Sequence, residues 1–103
     1  MKERITPQAG AAKLATVPGG QRWVTMFKHG MLELEYYAPK KTDPQQPHTR
    51  DEVYFIVAGK ATFVMEGDRH EVGPGEVILA PKGVPHRFEQ ISDDFATFAI
   101  FAG

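Results

Sequence analysis

The chain has 103 residues, a length that fits one small domain and leaves no room for a second hydrophobic core. With 12 basic and 13 acidic residues its formal net charge is −1, which gives no indication of binding to nucleic acid or to an anionic membrane. The absence of cysteine excludes disulfides, thiolate metal ligands and thiol nucleophiles. The charged N-terminus does not fit a secretory signal, and no segment approaches the about 20 apolar residues that span a bilayer. We therefore expect a soluble cytoplasmic protein.

Residues 1–20 are expected to form an N-terminal arm, followed by a single domain at residues 21–103. The arm contains Pro7, Pro18 and three glycines, and its segment AGAAKLA is too short for a stable isolated helix.

From Trp23 onward the sequence predicts about eight short β-strands separated by turn residues. In chain order the predicted strands are RWVTMFK, MLELEYYA, EVYFIVA, KATFVM, RHEV, EVILAP, HRFEQI and FATFAIFA. The second strand alternates apolar residues with Glu33 and Glu35, so we expect these two glutamates on a solvent-exposed polar face.

No window of 11 or more residues has a convincing helical period, so the fold class is predicted to be all-β, a sandwich or barrel. The segments VYFIV and FATFAIF are apolar on both faces. One face must pack into a core, and the other needs a second sheet or another subunit. For so short a chain the second subunit is the simpler explanation, and we expect a homodimer.

Three residues that can bind a metal precede the third predicted strand: Gln46, His48 and Glu52. On one continuous strand His48 and Glu52 would be about 13.5 Å apart, too far to share an ion with ligand bonds of about 2.1 Å. The chain must therefore bend within Thr49–Asp51 if the two residues share an ion. A further ligand must come from elsewhere, and His86 follows a turn that contains Pro81, Gly83 and Pro85.

The segments QPHTRDEVYFIVAG and GEVILAPKGVPHRFEQ resemble the two conserved motifs of the cupin superfamily. His48, Glu52 and Gly59 fall at the places of the second histidine, the glutamate and the glycine of the first motif. In the second motif Gly75, Pro81, Gly83 and His86 fall at the expected intervals, and Gln90 stands where asparagine is usual. The resemblance covers residues 31–101 and implies a small antiparallel jelly-roll β-barrel of the single-domain cupin type.

The resemblance implies one divalent transition metal (Fe, Mn, Ni, Co or Zn) held by His48, Glu52 and His86. The departure from the family is Gln46, which stands in place of the first histidine of the first motif. Its amide oxygen is a weaker ligand than imidazole, so Gln46 either completes the metal shell or lines the pocket. Without it, two histidines and one carboxylate match the facial triad of non-haem iron oxygenases.

Side-chain alternation places a set of apolar residues on the inner face near these ligands. They are either the walls of a pocket around the ion or a plain barrel core: Tyr54, Ile56, Phe63, Met65 and Phe88. His29 and His70 adjoin turns and are expected to be solvated and outside the site.

The favoured functional hypothesis is a metal-dependent enzyme, a dioxygenase or an isomerase, acting on a small chelating oxygen-containing substrate. No second titratable residue is evident as a general base. The alternatives are a non-catalytic module that binds a small molecule or sugar, and a barrel in which the metal only stabilises the fold.

Overall fold

The computed structural model describes residues 4–44 and 48–103, which contain one helix and eight strands. The helix and the first four strands are α1 (Pro7–Leu14), β1 (Trp23–His29), β2 (Leu32–Tyr37), β3 (Asp51–Ala58) and β4 (Ala61–Met65). The others are β5 (Asp68–Val72), β6 (Val77–Ala80), β7 (His86–Glu89) and β8 (Ala96–Ala102). Each predicted strand is present within two residues of its expected bounds, and the all-β prediction is confirmed.

The strands form two antiparallel sheets that enclose one core. The larger sheet has the order β1-β2-β8-β3-β6, and the smaller has the order β5-β4-β7. Aromatic side chains from both sheets fill the space between them; Phe88 of β7, for example, has its ring centroid 4.9 Å from that of Tyr54 of β3. The turn from β3 to β4 requires glycine at position 59, because φ is +72° and a Cβ atom would lie 2.6 Å from the backbone of Phe95.

The predicted arm contains a helix that packs on the outer face of the larger sheet. Thr6 caps helix α1 by accepting a hydrogen bond from the amide of Ala9, and Pro7 occupies the first turn. Gly10 and Leu14 are buried, and Gly10 lies so close to the Tyr36 ring that no larger residue fits without a shift. Eight residues are too few for an isolated helix, so packing on the sheet accounts for its stability. The described residues include no helix that is long and apolar enough to cross a membrane.

This helix reverses the predicted orientation of β2. Tyr36 faces outward and packs in a cluster with Leu14 of α1, and Leu34 is buried on the same face of β2. Glu33, on the opposite face, is only 8% exposed, and Glu35 is partly buried. The prediction that these glutamates form a solvent-exposed face is therefore wrong. Alternation identifies two faces of a strand, but a covering helix makes the outer face the apolar one.

One carboxylate bridges the two sheets at the side of the barrel. Asp43 is buried, and one of its oxygens accepts a hydrogen bond from the Tyr37 hydroxyl of β2. Its other oxygen accepts the Phe88 amide at 2.8 Å. Strand β7 is the edge of the smaller sheet, so this amide points away from β4 and needs an acceptor. Asp43 supplies that acceptor and links β2 to β7.

Candidate metal centre and cavity

The structure brings His48 and Glu52 together through a bend at residues 49–50, just before β3 begins. The distance from His48 Nε2 to Glu52 Oε1 is 3.2 Å. The Glu52 side chain is 2% exposed, whereas the His48 side chain is 31% exposed. The bend within Thr49–Asp51 that the sequence requires for a shared ion is therefore present.

His86 reaches the same carboxylate from the start of β7. Its Nε2 atom also lies 3.2 Å from Glu52 Oε1, and its side chain is 1% exposed. The turn before it is fixed to the His48 segment by two hydrogen bonds: the Gly83 amide donates to the His48 carbonyl at 2.7 Å, and the Lys82 amide donates to Asp51 Oδ1 at 2.9 Å. Because Gly83 has a φ of +77°, glycine suits this turn.

The ring of His86 is oriented by its backbone partner. Its Nδ1 atom lies 2.9 Å from the carbonyl oxygen of Val84, which can only accept, so Nδ1 carries a proton. The Nε2 atom is thereby directed at Glu52 and lies 3.1 Å from the Tyr54 hydroxyl. Burial lowers the pKa of His86, but the hydrogen bonds with Glu52 and Val84 outweigh it, and the pKa is raised overall.

These three residues fit a divalent transition metal. Their ligand atoms, two imidazole nitrogens and one carboxylate oxygen, all lie within 4.8 Å of one another. Two ligands that each lie about 2.1 Å from a shared ion are about 3.0–3.4 Å apart in octahedral or tetrahedral geometry. Both observed distances to Glu52 Oε1 are 3.2 Å, within that range. The His86–Val84 bond is the type of second contact that orients a metal-binding histidine.

A cavity of about 600 Å³ opens beside this cluster. His48 and Glu52 lie on its wall, as do Ala99 and Phe101 of β8. The rest of its described lining comes from the segments around β1 and β2 and from the loop before β3: Gly20, Gln21, Arg22, Trp23, Glu35, Tyr37, Pro39, Thr42, Pro44 and Arg50. Its size suits a small organic ligand.

Arg50 is held firmly on the wall of the cavity. Its guanidinium lies 4.7 Å from the centroid of the Phe101 ring, a cation–π distance, and donates to Glu33 Oε1 at 2.9 Å. Burial raises the pKa of Glu33, but the Arg50 hydrogen bond and the charge of Lys28 outweigh it, so the pKa is lowered overall. Glu33 is therefore ionised at neutral pH.

Two groups on the cavity wall that can lose a proton, Glu35 and Tyr37, were not among the predicted site residues. Burial and the negative charges of Glu33 and Glu52 raise the pKa of Glu35 to about 7. Burial and the Asp43 hydrogen bond raise the pKa of Tyr37 above its ordinary range. The available signal was the period of two in LELEYY, which places Glu33, Glu35 and Tyr37 on one face. The period of two does not indicate that this face is the inner one.

The other predicted site residues have varied positions. Gln46 lies outside the described residues. Four of the residues predicted to line a pocket are less than 5% exposed and lie in the closed core: Tyr54, Ile56, Phe63 and Phe88. Met65 packs against this core. None of the five lies on the described wall of the cavity. Of these, Tyr54 touches the cluster through His86. His29 and His70 are exposed, as expected.

Three curated relatives match parts of the chain. An uncharacterised protein of Streptomyces coelicolor, SCO3923, is 41% identical over 61 residues, which are 59% of this chain and 58% of that protein. Dimethylsulfoniopropionate lyase DddQ of Ruegeria pomeroyi is 36% identical over 61 residues, 58% of this chain and 30% of the lyase. An acireductone dioxygenase of Geobacillus thermodenitrificans is 38% identical over 60 residues, 52% of this chain and 33% of the dioxygenase. The chain thus spans between about a third and just over half of the length of these relatives.

A solved structure supports the fold over the full length. The Cupin 2 conserved barrel protein from Salinispora arenicola superposes with a TM-score of 0.74, covering 100% of this chain and 89% of that one at 21% identity. The family model described as "Cupin domain" matches residues 33–101, which run from near the start of β2 to near the end of β8 and include all three residues of the cluster. The chain therefore belongs to the cupin domain family, as its two sequence motifs indicated.

Proposed function

We propose that this protein is a metal-dependent enzyme that acts on a small, chelating oxygen-containing substrate, with oxygenase-type chemistry. The observation that carries the proposal is the convergence of two histidine Nε2 atoms on one oxygen of Glu52, at the wall of a cavity. The similarity to an acireductone dioxygenase agrees with this chemistry over the matched segment.

His48, Glu52 and His86 would hold the metal, and Gln46 would complete or tune its shell. When bound, a divalent transition metal supplies Lewis-acid chemistry and, if it is iron or manganese, redox chemistry with O₂. Glu52 contributes one negative charge to the ligand set, so the centre keeps a net positive charge that favours an anionic oxygen ligand. Arg22 and Arg50 add positive charge to the wall of the cavity.

The test is anaerobic loading of the purified protein with Fe(II), followed by measurement of oxygen uptake with candidate diols and dioxo compounds. We expect uptake that requires both metal and substrate, that is lost in His86→Ala and that is kept in His70→Ala. The second variant is a matched control, because His70 is an exposed histidine on β5.

Three other outcomes would contradict an oxygenase. Oxygen uptake that persists in His86→Ala would show that the metal centre does not take part in the reaction. Consumption of substrate without oxygen uptake would indicate lyase or isomerase chemistry, and the similarity to a lyase makes this comparison worthwhile. Tight binding without any turnover would indicate a binding module.

We also propose that two copies of the chain associate through the outer face of β3 and β6. Phe55, Val77 and Leu79 are 44%, 63% and 58% exposed, and the strand register places Phe55 opposite Val77 and Val53 opposite Leu79. Helix α1 covers the outer face nearer β2, but this apolar strip at the edge of the sheet is open. A two-fold axis would pack the strip against its own copy.

The dimer is tested by sedimentation velocity of the full chain. We expect the wild type to sediment as a dimer and Leu79→Lys as a monomer, because a charge in the apolar strip must be desolvated on association. Met31→Lys is the matched control, since Met31 is 68% exposed in the turn between β1 and β2. A monomeric wild type would contradict the dimer, as would a Leu79→Lys variant that stays dimeric.

A further inference from the structure

The inner face of the larger sheet forms a continuous wall of the cavity, from the candidate metal centre to the start of β1. Three rows of residues that are paired across neighbouring strands line it: Glu52 with Phe101, Ala99 with Glu35, and Tyr37 with Trp23. Residues paired in this way share a face of the sheet. Successive rows are two residues apart along a strand, so the third row lies about 13 Å along the strands from the first. The cavity therefore extends well beyond the metal ligands.

The far end of this wall, the part next to Trp23, presents a large aromatic side chain on a fixed backbone. Trp23 is 43% exposed, but its carbonyl accepts a hydrogen bond from the Gln21 side chain at 2.7 Å. The preceding carbonyl, of Arg22, accepts the Ala38 amide at 2.9 Å. Gly20 also lies on the wall, and a Cβ atom at this position would meet no atom within 4 Å, so the space is open. A ligand could cover the indole ring without first ordering a mobile segment.

The chemistry of the far end favours an apolar ring over a sugar. Tyr37 contributes a second aromatic side chain, and Pro44 adds apolar surface. The polar groups here already bond within the protein. Arg22 Nε donates to the Ala38 carbonyl at 2.8 Å, and the Tyr37 hydroxyl donates to Asp43. A sugar needs partners for several hydroxyls, whereas a flat apolar ring gains from burial and from stacking on an aromatic side chain.

We propose that Trp23 is a specificity-determining residue, which stacks on a flat apolar ring at the end of the substrate opposite to its chelating group. The substrate class is then an elongated compound, with a chelating oxygen head at the metal and an aromatic group that a spacer carries along the wall to Trp23. This inference rests on the proposed function, because the head is expected to bind the metal held by His48, Glu52 and His86.

The experiment is calorimetry on zinc-loaded protein with a matched pair of probes. Butyrohydroxamic acid and phenylbutyrohydroxamic acid share the chelating head and the chain, and only the second has a terminal phenyl ring. We expect the wild type to bind the phenyl probe about 10-fold more tightly. Trp23→Ala should lose most of this preference with an unchanged affinity for butyrohydroxamic acid, while Trp23→Phe should keep most of it. Leu32→Ala is the control, because Leu32 is 40% exposed and lies outside the described cavity wall.

The wild type alone provides a second test that does not depend on the folding of a variant. Trp23 is the single tryptophan of the chain, so the intrinsic fluorescence reports on this side chain. The phenyl probe should shift the emission to shorter wavelength, because its ring displaces water from the exposed indole. Butyrohydroxamic acid should leave the emission unchanged. The same response to both probes would overturn the inference.

The length of the ligand is tested with benzohydroxamic acid, in which the ring is attached directly to the head. This probe is too short to reach Trp23, so Trp23→Ala and the wild type should bind it equally. Weaker binding of this short probe by Trp23→Ala would contradict the distance that the three rows require.

The remaining outcomes separate this inference from the proposed function. Equal affinity of the zinc-loaded wild type for the two matched probes would overturn the inference and leave the metal centre intact. A Trp23→Ala variant that keeps the preference but changes its sedimentation would also overturn it, because Trp23 would then pack against a second copy. A wild type that binds no zinc would overturn the proposed function together with the inference.

Discussion

His86→Ala is expected to lower the affinity of the protein for a divalent transition metal by at least about 100-fold. The His86 imidazole is one of three ligand atoms that converge, and its Nδ1–H···O=C bond to Val84 fixes the direction of Nε2. Alanine leaves two ligands, one of them on the partly exposed His48. The measurement is elemental analysis of the purified protein, combined with competition against a chromophoric chelator.

Two further variants separate loss of a ligand from loss of folding. Glu52→Gln keeps the shape of the side chain but replaces the charged oxygen with a neutral amide, so it should also weaken metal binding strongly. His70→Ala removes an exposed histidine and should retain one metal ion per chain. If His86→Ala folded normally and kept wild-type metal affinity, His86 would not be a ligand.

Asp43→Ala is expected to lower the free energy of unfolding by about 2–4 kcal/mol. The substitution leaves the Phe88 amide and the Tyr37 hydroxyl without their acceptor at the side of the barrel, where Asp43 is only 7% exposed. Phe88 is only 1% exposed, so water has little access to replace the bond of its amide. Chemical denaturation followed by tryptophan fluorescence measures the change, since the chain has one tryptophan.

Two control variants show whether the loss of stability comes from the hydrogen bonds of Asp43. Asp43→Asn keeps one amide oxygen as an acceptor and should lose only about 1–2 kcal/mol. Asp93→Ala changes an exposed aspartate and should stay within about 0.5 kcal/mol of the wild type. If Asp43→Ala were as stable as Asp93→Ala, Asp43 would not be what links β2 to β7.

The sequence predicted the strands because they leave local signals, and the resemblance to the two cupin motifs predicted the convergence of His48, Glu52 and His86. A strand leaves a period of two and a turn leaves glycine or proline, while the spacing from His48 to Glu52 requires a bend. Gly59 and Gly83 have positive φ, a conformation that favours glycine at these two motif positions.

The orientation of β2 could not be predicted, because it depends on a contact with a distant segment. Helix α1 covers Tyr36, which leaves Glu33 and Glu35 on the opposite face, toward the interior. The helix has only eight residues, and its stability comes from the sheet it covers. Glu35 and Tyr37 were missed as cavity residues for the same reason, because alternation alone does not show which face of the strand is the inner one.

Of the two interpretations of the predicted inner face, pocket wall or barrel core, the described residues fit the barrel core. Tyr54, Ile56 and Phe88 point inward, as their positions require, yet they fill the core together with Phe63. The described walls of the cavity come instead from β2, β8 and the segments before β1 and β3, where Ala99 leaves space. Which residues fill the core and which line the cavity depends on the side-chain volumes of three neighbouring strands. The sequence of one strand does not show these volumes.

The central claim is that one metal ion is held by His48, Glu52 and His86, and anomalous diffraction from crystals of the metal-loaded protein tests it most directly. We expect one anomalous peak per chain, about 2.0–2.2 Å from His48 Nε2, Glu52 Oε1 and His86 Nε2. The same map would show whether the amide oxygen of Gln46 lies within bonding distance. A peak bonded elsewhere, or metal-loaded crystals with no peak between these three residues, would contradict the account.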